Sequence, residues 1–321
     1  GLEQQIFSGG YEGRAIHEMV QNGADEILTW AKDSTERDFV CDQIRVILTP
    51  NVLYCANHGA PVRVRGVQAM LGAARSDKSS DLIGTFGVGF KSVLQLTDRP
   101  EFYSTTGSFV FSQRNAEQQF REVVEDSGDS PFKFPTLRTA TPADFEEAAD
   151  KDAILRELAE WKASTIVKLP LLKTKAADLR DIVKEFSSSF LLFSPHVGSL
   201  RLEDRIGAGG SREIETKLEN SSNGKISPGK NEDKWNATIV LKEGEKSDRW
   251  MVSTSFCTPT AVSRADAGPL APQDPEEKWR VPITWAVPEN VGRQRGEFWA
   301  FFSTDSDTTL SGILNAPWKT N

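Results

Sequence analysis

The sequence predicts an α+β protein in two parts, and three observations carry that prediction. Residues 1–197 alternate helical periodicity with paired short strand-like runs. Residues 198–321 change character: short alternating runs are separated by polar loops, and six of the eight tryptophans lie between Trp235 and Trp318. The length of 321 residues, with 38% hydrophobic residues, suffices for two cores. The net charge of -8 excludes a protein that coats nucleic acid through overall charge, although a local basic groove stays open. No apolar run approaches the ~18–20 residues that span a bilayer, so no membrane partner is expected. Cys41, Cys55 and Cys257 are odd in number and not in C-x-x-C spacing, and His17, His58 and His196 are scattered. That usage predicts a reduced, cytoplasmic protein without a disulfide framework or zinc site. The ends, Gly1 and "NAPWKTN", predict a piece of a larger protein.

The elements follow in order. Residues 13–31 read as a helix, with Ile16, Met19, Val20, Ile27 and Leu28 at helical spacing. "QIRVILT" and "VLYCAN" form a hairpin across Pro50–Asn51. Residues 59–83, small and polar, read as a mobile segment, and "FKSVLQLT" as a helix. "PEFYSTTGSFVFSQ" is a second hairpin turning at Gly107. "DFEEAADKDAILRELAEW" reads as one helix, "STIVKLP" as a strand, and "AADLRDIVKEFSSSFLLF" as one amphipathic helix. Beyond residue 198, "SLRLED", "ATIVLKE" and "RWMVSTSF" are strands, with the tryptophans as core more readily than as a binding platform.

Four motifs carry chemistry. In "HEMVQNGADE", Glu18 and Asn22 are four apart and share a helical face, and Asp25 continues the stripe. A carboxylate there can take a proton from water, and an amide oxygen suits Mg²⁺; a solvated face is the plain alternative. The Asn22–Gly23 pair costs ~1 kcal/mol or more inside a helix and needs an explanation. In "YCANHGAPV" a strand ends at Asn57 and Gly59 permits a sharp turn. "GTFGVGFKS" places Gly84, Gly87, Val88, Gly89 and Phe90 ahead of Lys91. Such a loop is either a tight turn or a phosphate cradle, but not a Walker loop, and a helix and hairpin ahead of it argue against a Rossmann fingerprint. The fourth is Thr165, at the start of "STIVKLP".

In this order the four motifs resemble the nucleotide site of the GHKL superfamily of gyrase, the ninety-kilodalton heat-shock chaperones, histidine kinases and MutL. "IGTFGVGFKSVLQLTDRPEFYS" most resembles the chaperone-like branch that includes sacsin and the MORC ATPases. The resemblance covers roughly residues 10–195. It implies a two-layer α/β sandwich with a mixed, mostly antiparallel sheet, followed by a strand-rich, transducer-like domain over 198–321. It implies ATP and Mg²⁺ as cofactors, Glu18 as general base, Asn22 as the metal ligand, and Asp25 as a supporting acid or a structural salt bridge. Gly84, Gly87, Val88, Gly89, Phe90 and Lys91 would lie near the phosphates. Residues 66–83 would be the lid, with Ser76 and Lys78 in reach of phosphate. Asn57, Gly59 and Thr165 would sit near the adenine. Lys319 would serve the γ-phosphate, with Arg293 and Arg295 behind it, against the alternative of a solvated surface lysine. The superfamily usually has aspartate where this chain has Asn57 and a second glycine where it has Pro61. Asparagine can accept through its oxygen or donate through its NH₂, so adenine selectivity is in question there.

The implied activity is ATP binding and slow hydrolysis, driving lid closure and switching, with a homodimer or larger assembly formed through absent domains. Chaperone-like work, nucleic-acid handling through other domains or subunits, and antiviral defence all fit. The alternatives are a nucleotide-sensing scaffold without turnover and a histidine kinase. His17, next to Glu18, is poorly placed as a phospho-acceptor.

Overall fold

The structure, a computed structural model, describes residues 14–33, 42–64, 66–67, 89–123, 136–173, 175–224, 234–267, 280–292, 294–300 and 302–316. The protein is α+β. It divides into two compact units, and the division is not a single cut. The described residues up to Phe186 belong with Leu200–Arg212, and Ser187–Ser199 belong with those from Glu213 onward.

The first unit is built on antiparallel pairs: β1 (Gln43–Leu48) with β2 (Val52–Asn57), β2 with β6 (Thr165–Pro170), β6 with β3 (Glu101–Ser104), β3 with β4 (Gly107–Phe111), and β4 with β5 (Ala140–Pro142). β7 (Ser199–Asp204) lies on the other side of β1. The hairpins fall where turn chemistry predicts, at Pro50–Asn51 and at Thr105–Thr106 ahead of Gly107. Side chains alternate between faces along a strand. One face presents Ile44, Val46 and Leu48 opposite Asn57, Cys55 and Leu53. Helix α1 (Arg14–Asp33) packs on it, burying Ala15, Ile16, Met19, Val20, Ala24, Ile27 and Leu28.

The opposite face is also covered. Ile47, Tyr54, Ala56, Tyr103 and Ile166 form a core with Ala149, Leu155 and Leu158 of helices α3 (Phe145–Lys151) and α4 (Ala153–Glu160). These helices add a layer beyond the two expected. They also correct the single helix expected over this segment. Asp152 is extended (φ -137, ψ 100), ending α3, and its side chain accepts from the amides of Ile154 and Leu155, starting α4. Asp152 also accepts from the Tyr54 hydroxyl at 2.8 Å and pairs with Lys168 at 3.1 Å. Lys168 reaches Glu101 at 3.2 Å, which accepts from Tyr103 at 2.7 Å. Nearby, Arg45 pairs with Glu157 and Glu203, both at 2.6 Å, and Arg205 holds the same two carboxylates.

The second expected long helix is likewise shorter. Helix α5 (Lys175–Glu185) stops before a separate 3₁₀ turn at Ser188–Phe193. Arg212 donates to the carbonyls of Val183, Lys184 and Phe186, placing a cation on the negative end of α5. Helix α2 (Gln113–Val123) completes the unit's described helices.

The second unit is a sheet in the order β13 (Ser303–Thr308), β12 (Gly296–Trp299), β14 (Ile313–Asn315), β11 (Val281–Pro288), β10 (Lys246–Cys257), β9 (Lys234–Glu243), β8 (Ser211–Ser221), with a short helix α6 (Ala261–Ala267). The β12–β14 pair is parallel, and the β8–β9, β9–β10, β10–β11, β11–β14 and β12–β13 pairs are antiparallel. Trp235 and Trp299 are buried in its core, with Phe193 against Trp299, whereas Trp285 is exposed and donates from its indole to the Ser311 carbonyl. No helix among the described residues is long and apolar enough to cross a membrane.

Candidate functional site

The site grows from one end of the first unit's sheet. Ile44 pairs with Asn57, Asn57 with Thr165, and Thr165 with Ser104. These four positions share a register row across β1, β2, β6 and β3, on the face that α1 covers. The next row on that face, Val46, Cys55, Val167 and Phe102, is apolar except for a thiol. Burial pushes the Cys55 thiol up to about 12, which leaves it inert.

Helix α1 crosses the polar row at Gly23. A Cβ added there would stand 3.2 Å from both the Asn57 Cβ and the Ile44 Cδ1. This close approach accounts for the Asn-Gly pair inside a helix. Glu18 and Asn22 are half-buried, while Asp25 is only 1% exposed. The chain leaving Asn57 is tied to α1 as well. The Ala60 amide donates to the Glu26 carbonyl at 3.0 Å. Gly59 has φ +96, and a Cβ there would meet the Ile27 backbone at 2.7 Å, so only glycine fits on both counts.

Asn57 is buried and donates from Nδ2 to the His58 carbonyl at 2.6 Å. The reverse amide orientation would set two oxygens against each other at that distance. The carboxamide oxygen is therefore the atom left to accept. His58 is anchored away from the row: its ring stacks on Trp161 at 4.1 Å, and its Nε2 lies 3.0 Å from the Trp161 carbonyl. That bond requires the proton on Nε2, and buried Nδ1 has no hydrogen-bond partner. Burial holds the His58 pKa below its usual value, against the raising influence of the Trp161 carbonyl and of Asp42.

Thr165 is buried, and its hydroxyl lies 3.2 Å from the Ser104 hydroxyl. Ser104 donates to the Ser164 carbonyl at 2.9 Å and accepts from the Val62 amide at 3.0 Å. Thr106 donates to the Val62 carbonyl at 2.6 Å. The segment from Asn57 to Val62 is thus clamped to α1 on one side and to the β3–β4 hairpin on the other.

Gly89–Gln95 form a 3₁₀ helix packed on α1, where an ordinary helix was expected; only the backbone is described for Gly89, Phe90 and Lys91. Ser76, Lys78, Gly84, Gly87, Val88, Arg293 and Lys319 lie outside the described residues, as does the expected lid beyond Val67. Arg295 pairs with Asp307 at 3.6 Å on the surface. The structure thus brings together Gly23, Asn57, Gly59 and Thr165, from motifs distant in sequence, with Glu18 and Asn22 half-buried on the same helix as Gly23. Sequence reading missed Ser104, His58 and Trp161. "STTG" offered hydroxyls beside a turn, but only the strand register puts Ser104 next to Thr165.

Residues 5–194 match the family described as Sacsin domain. The chain belongs to the Sacsin-domain family. No curated protein matches the chain. The Sacsin-domain match takes in α1, the β1–β2 hairpin and β6, and so every described residue of the site. It ends before β7, whose Glu203 neutralises Arg45.

Proposed function

We propose that this Sacsin-domain protein binds ATP with Mg²⁺ and hydrolyses it slowly, at a GHKL-type site on the α1 face of the first unit, to drive a conformational switch. The observation that carries the reading is the register row. Residues 57 and 165, singled out from separate motifs, sit side by side, and Gly23 of α1 lies directly against Asn57. The 3₁₀ helix that follows the glycine loop packs on the same helix.

In this reading Glu18, half-buried on α1, accepts a proton from the attacking water, and Asn22 offers its carboxamide oxygen to the cation. Among the described residues no group of three His, Cys, Asp or Glu side chains could hold a metal. Mg²⁺ keeps several waters and takes few protein ligands beside phosphate oxygens. The bound cation would neutralise developing charge on the phosphates. At the base end, the Asn57 oxygen accepts from an amino group, so asparagine can serve where the superfamily has aspartate. The strand-rich second unit would act as the transducer.

The test compares ATP binding and turnover with Mg²⁺ in the protein and in Glu18→Ala. The expected result is ATP binding in both and turnover lost by ~10²-fold or more in the variant alone. Binding without turnover in either leaves a nucleotide-sensing scaffold. No binding in either overturns the reading.

A further inference from the structure

We propose that Ser104 is a specificity-determining residue: it fixes the Thr165 hydroxyl as a hydrogen-bond acceptor, so that the row selects a base edge bearing an amino group over one bearing a carbonyl. The inference rests on the nucleotide reading above and adds a residue and a selection rule to it.

The argument is a proton count. A serine hydroxyl has one proton and two lone pairs. Ser104 spends its proton on the Ser164 carbonyl, at 2.9 Å. One lone pair takes the Val62 amide, at 3.0 Å. The hydroxyl of Thr165, 3.2 Å away, then has only an acceptor to meet and must be the donor. Thr106 does not compete well: it lies 3.4 Å from Ser104 and spends its proton on the Val62 carbonyl at 2.6 Å. With its own proton committed, Thr165 has only lone pairs to offer a ligand. Asn57, next to it in the row, offers its carboxamide oxygen as a second acceptor; one N–H of its Nδ2 donates to the His58 carbonyl and the other remains. Discrimination therefore rests on Thr165, the group set purely as an acceptor by bonds within the chain. A 6-amino purine supplies a donor to it, whereas a 6-keto purine sets oxygen against oxygen there. Ser104 acts through Thr165 without itself touching the base.

The experiment measures the affinities of ATP and inosine triphosphate, which carries a carbonyl at the same carbon, for the protein, Ser104→Ala and Ser104→Thr. The expected result is an ATP preference of ~10-fold or more in the protein, falling to within ~3-fold in Ser104→Ala, where Thr165 is free to rotate and donate. Ser104→Thr keeps the hydroxyl and restores the preference, which a general loosening of the strand would not allow. Thr165→Val keeps the shape, removes the hydroxyl and narrows the ratio too; it serves if Ser104→Ala does not fold. An unchanged ratio in the folded variants, or equal affinities in the unaltered protein, overturns the role of Ser104 and leaves the nucleotide reading standing. Failure of the unaltered protein to bind either nucleotide overturns both.

Discussion

The two faces of the first unit's sheet both carry polar groups in a buried setting, and they use them in opposite ways. On the α3–α4 face charge meets charge. Arg45, Glu157, Glu203 and Arg205 neutralise one another, and Lys168 bridges Asp152 and Glu101, each of which also takes a tyrosine proton. Donors there find acceptors inside the chain, and the tyrosines are pushed above their usual range by burial first and then by their carboxylate partners. On the α1 face the row of Asn57, Thr165 and Ser104 is neutral, its hydroxyl protons are spent internally, and the Thr165 and Asn57 oxygens are left to accept. A closed network holds structure, while an oriented, incomplete one has acceptors to spare, as the proposed site requires. Burial of polar groups alone does not separate the two; the direction of each hydrogen bond does.

The largest effect that would break this contrast comes from Arg45. Arg45→Ala removes one of the arginines that compensate the buried Glu203, leaving Arg205 and Arg201, and is expected to destabilise the fold by ~3 kcal/mol in urea unfolding. Nucleotide affinity of the folded protein should change by less than ~3-fold, since a threefold factor is well under 1 kcal/mol. A parallel collapse of affinity would show that the two faces are one network. A smaller effect is expected at Asn57. Asn57→Asp replaces the donor facing the His58 carbonyl by an acceptor, and should cost ~1–3 kcal/mol of stability at neutral pH. A stabilised variant would mean that the bond to the His58 carbonyl contributes nothing to the fold.

The smallest effect is the pH dependence of the charged face. Hydrogen bonds from Arg205, then from Arg45, outweigh burial and hold Glu157 at about 2. Burial pushes Glu203 up, but the same two arginines hold it below its usual value. Carboxylates depressed on folding contribute stability that is complete above their unfolded value of 4.5 and is lost as pH falls toward about 2. Glu157 is 38% exposed, so solvent screens its share. Urea midpoints should therefore fall between pH 5 and pH 3, and fall less steeply in Arg205→Ala; equal slopes would remove the arginines from the account.

Much of this was legible in the sequence where the signal is local. The periodicity of α1, the β1–β2 hairpin and β6 is carried by neighbouring residues, and so is the need for glycine at position 59. The breaks in the two long helices were not legible, because their causes are tertiary. Asp152 reads as one more charge in "ADKDA" until Tyr54 and Lys168 are seen to hold it. The end of α5 is sealed by Arg212, which is 26 to 29 positions away from the carbonyls it meets. The site was half legible for the same reason. Asn57 and Thr165 stand in recognisable motifs, whereas the neighbour that orients Thr165 is set by strand register, which no single segment encodes. Gly23 looked like a weak point in a helix because the side chain it makes room for, Asn57, is 34 residues on.

The return of Leu200–Arg212 to the first unit has a practical consequence for how the chain can be divided. A piece ended at residue 194 or 197 would carry every residue of the polar row and still be missing a strand. It would hold Arg45 without Glu203, and α5 without the guanidinium that closes it. Such a fragment should precipitate or bind poorly for reasons unrelated to its site, whereas one carried through Arg212 keeps its electrostatic complement. The smallest piece that keeps the first unit whole is therefore longer than the family match, by the length of one strand and the turn after it.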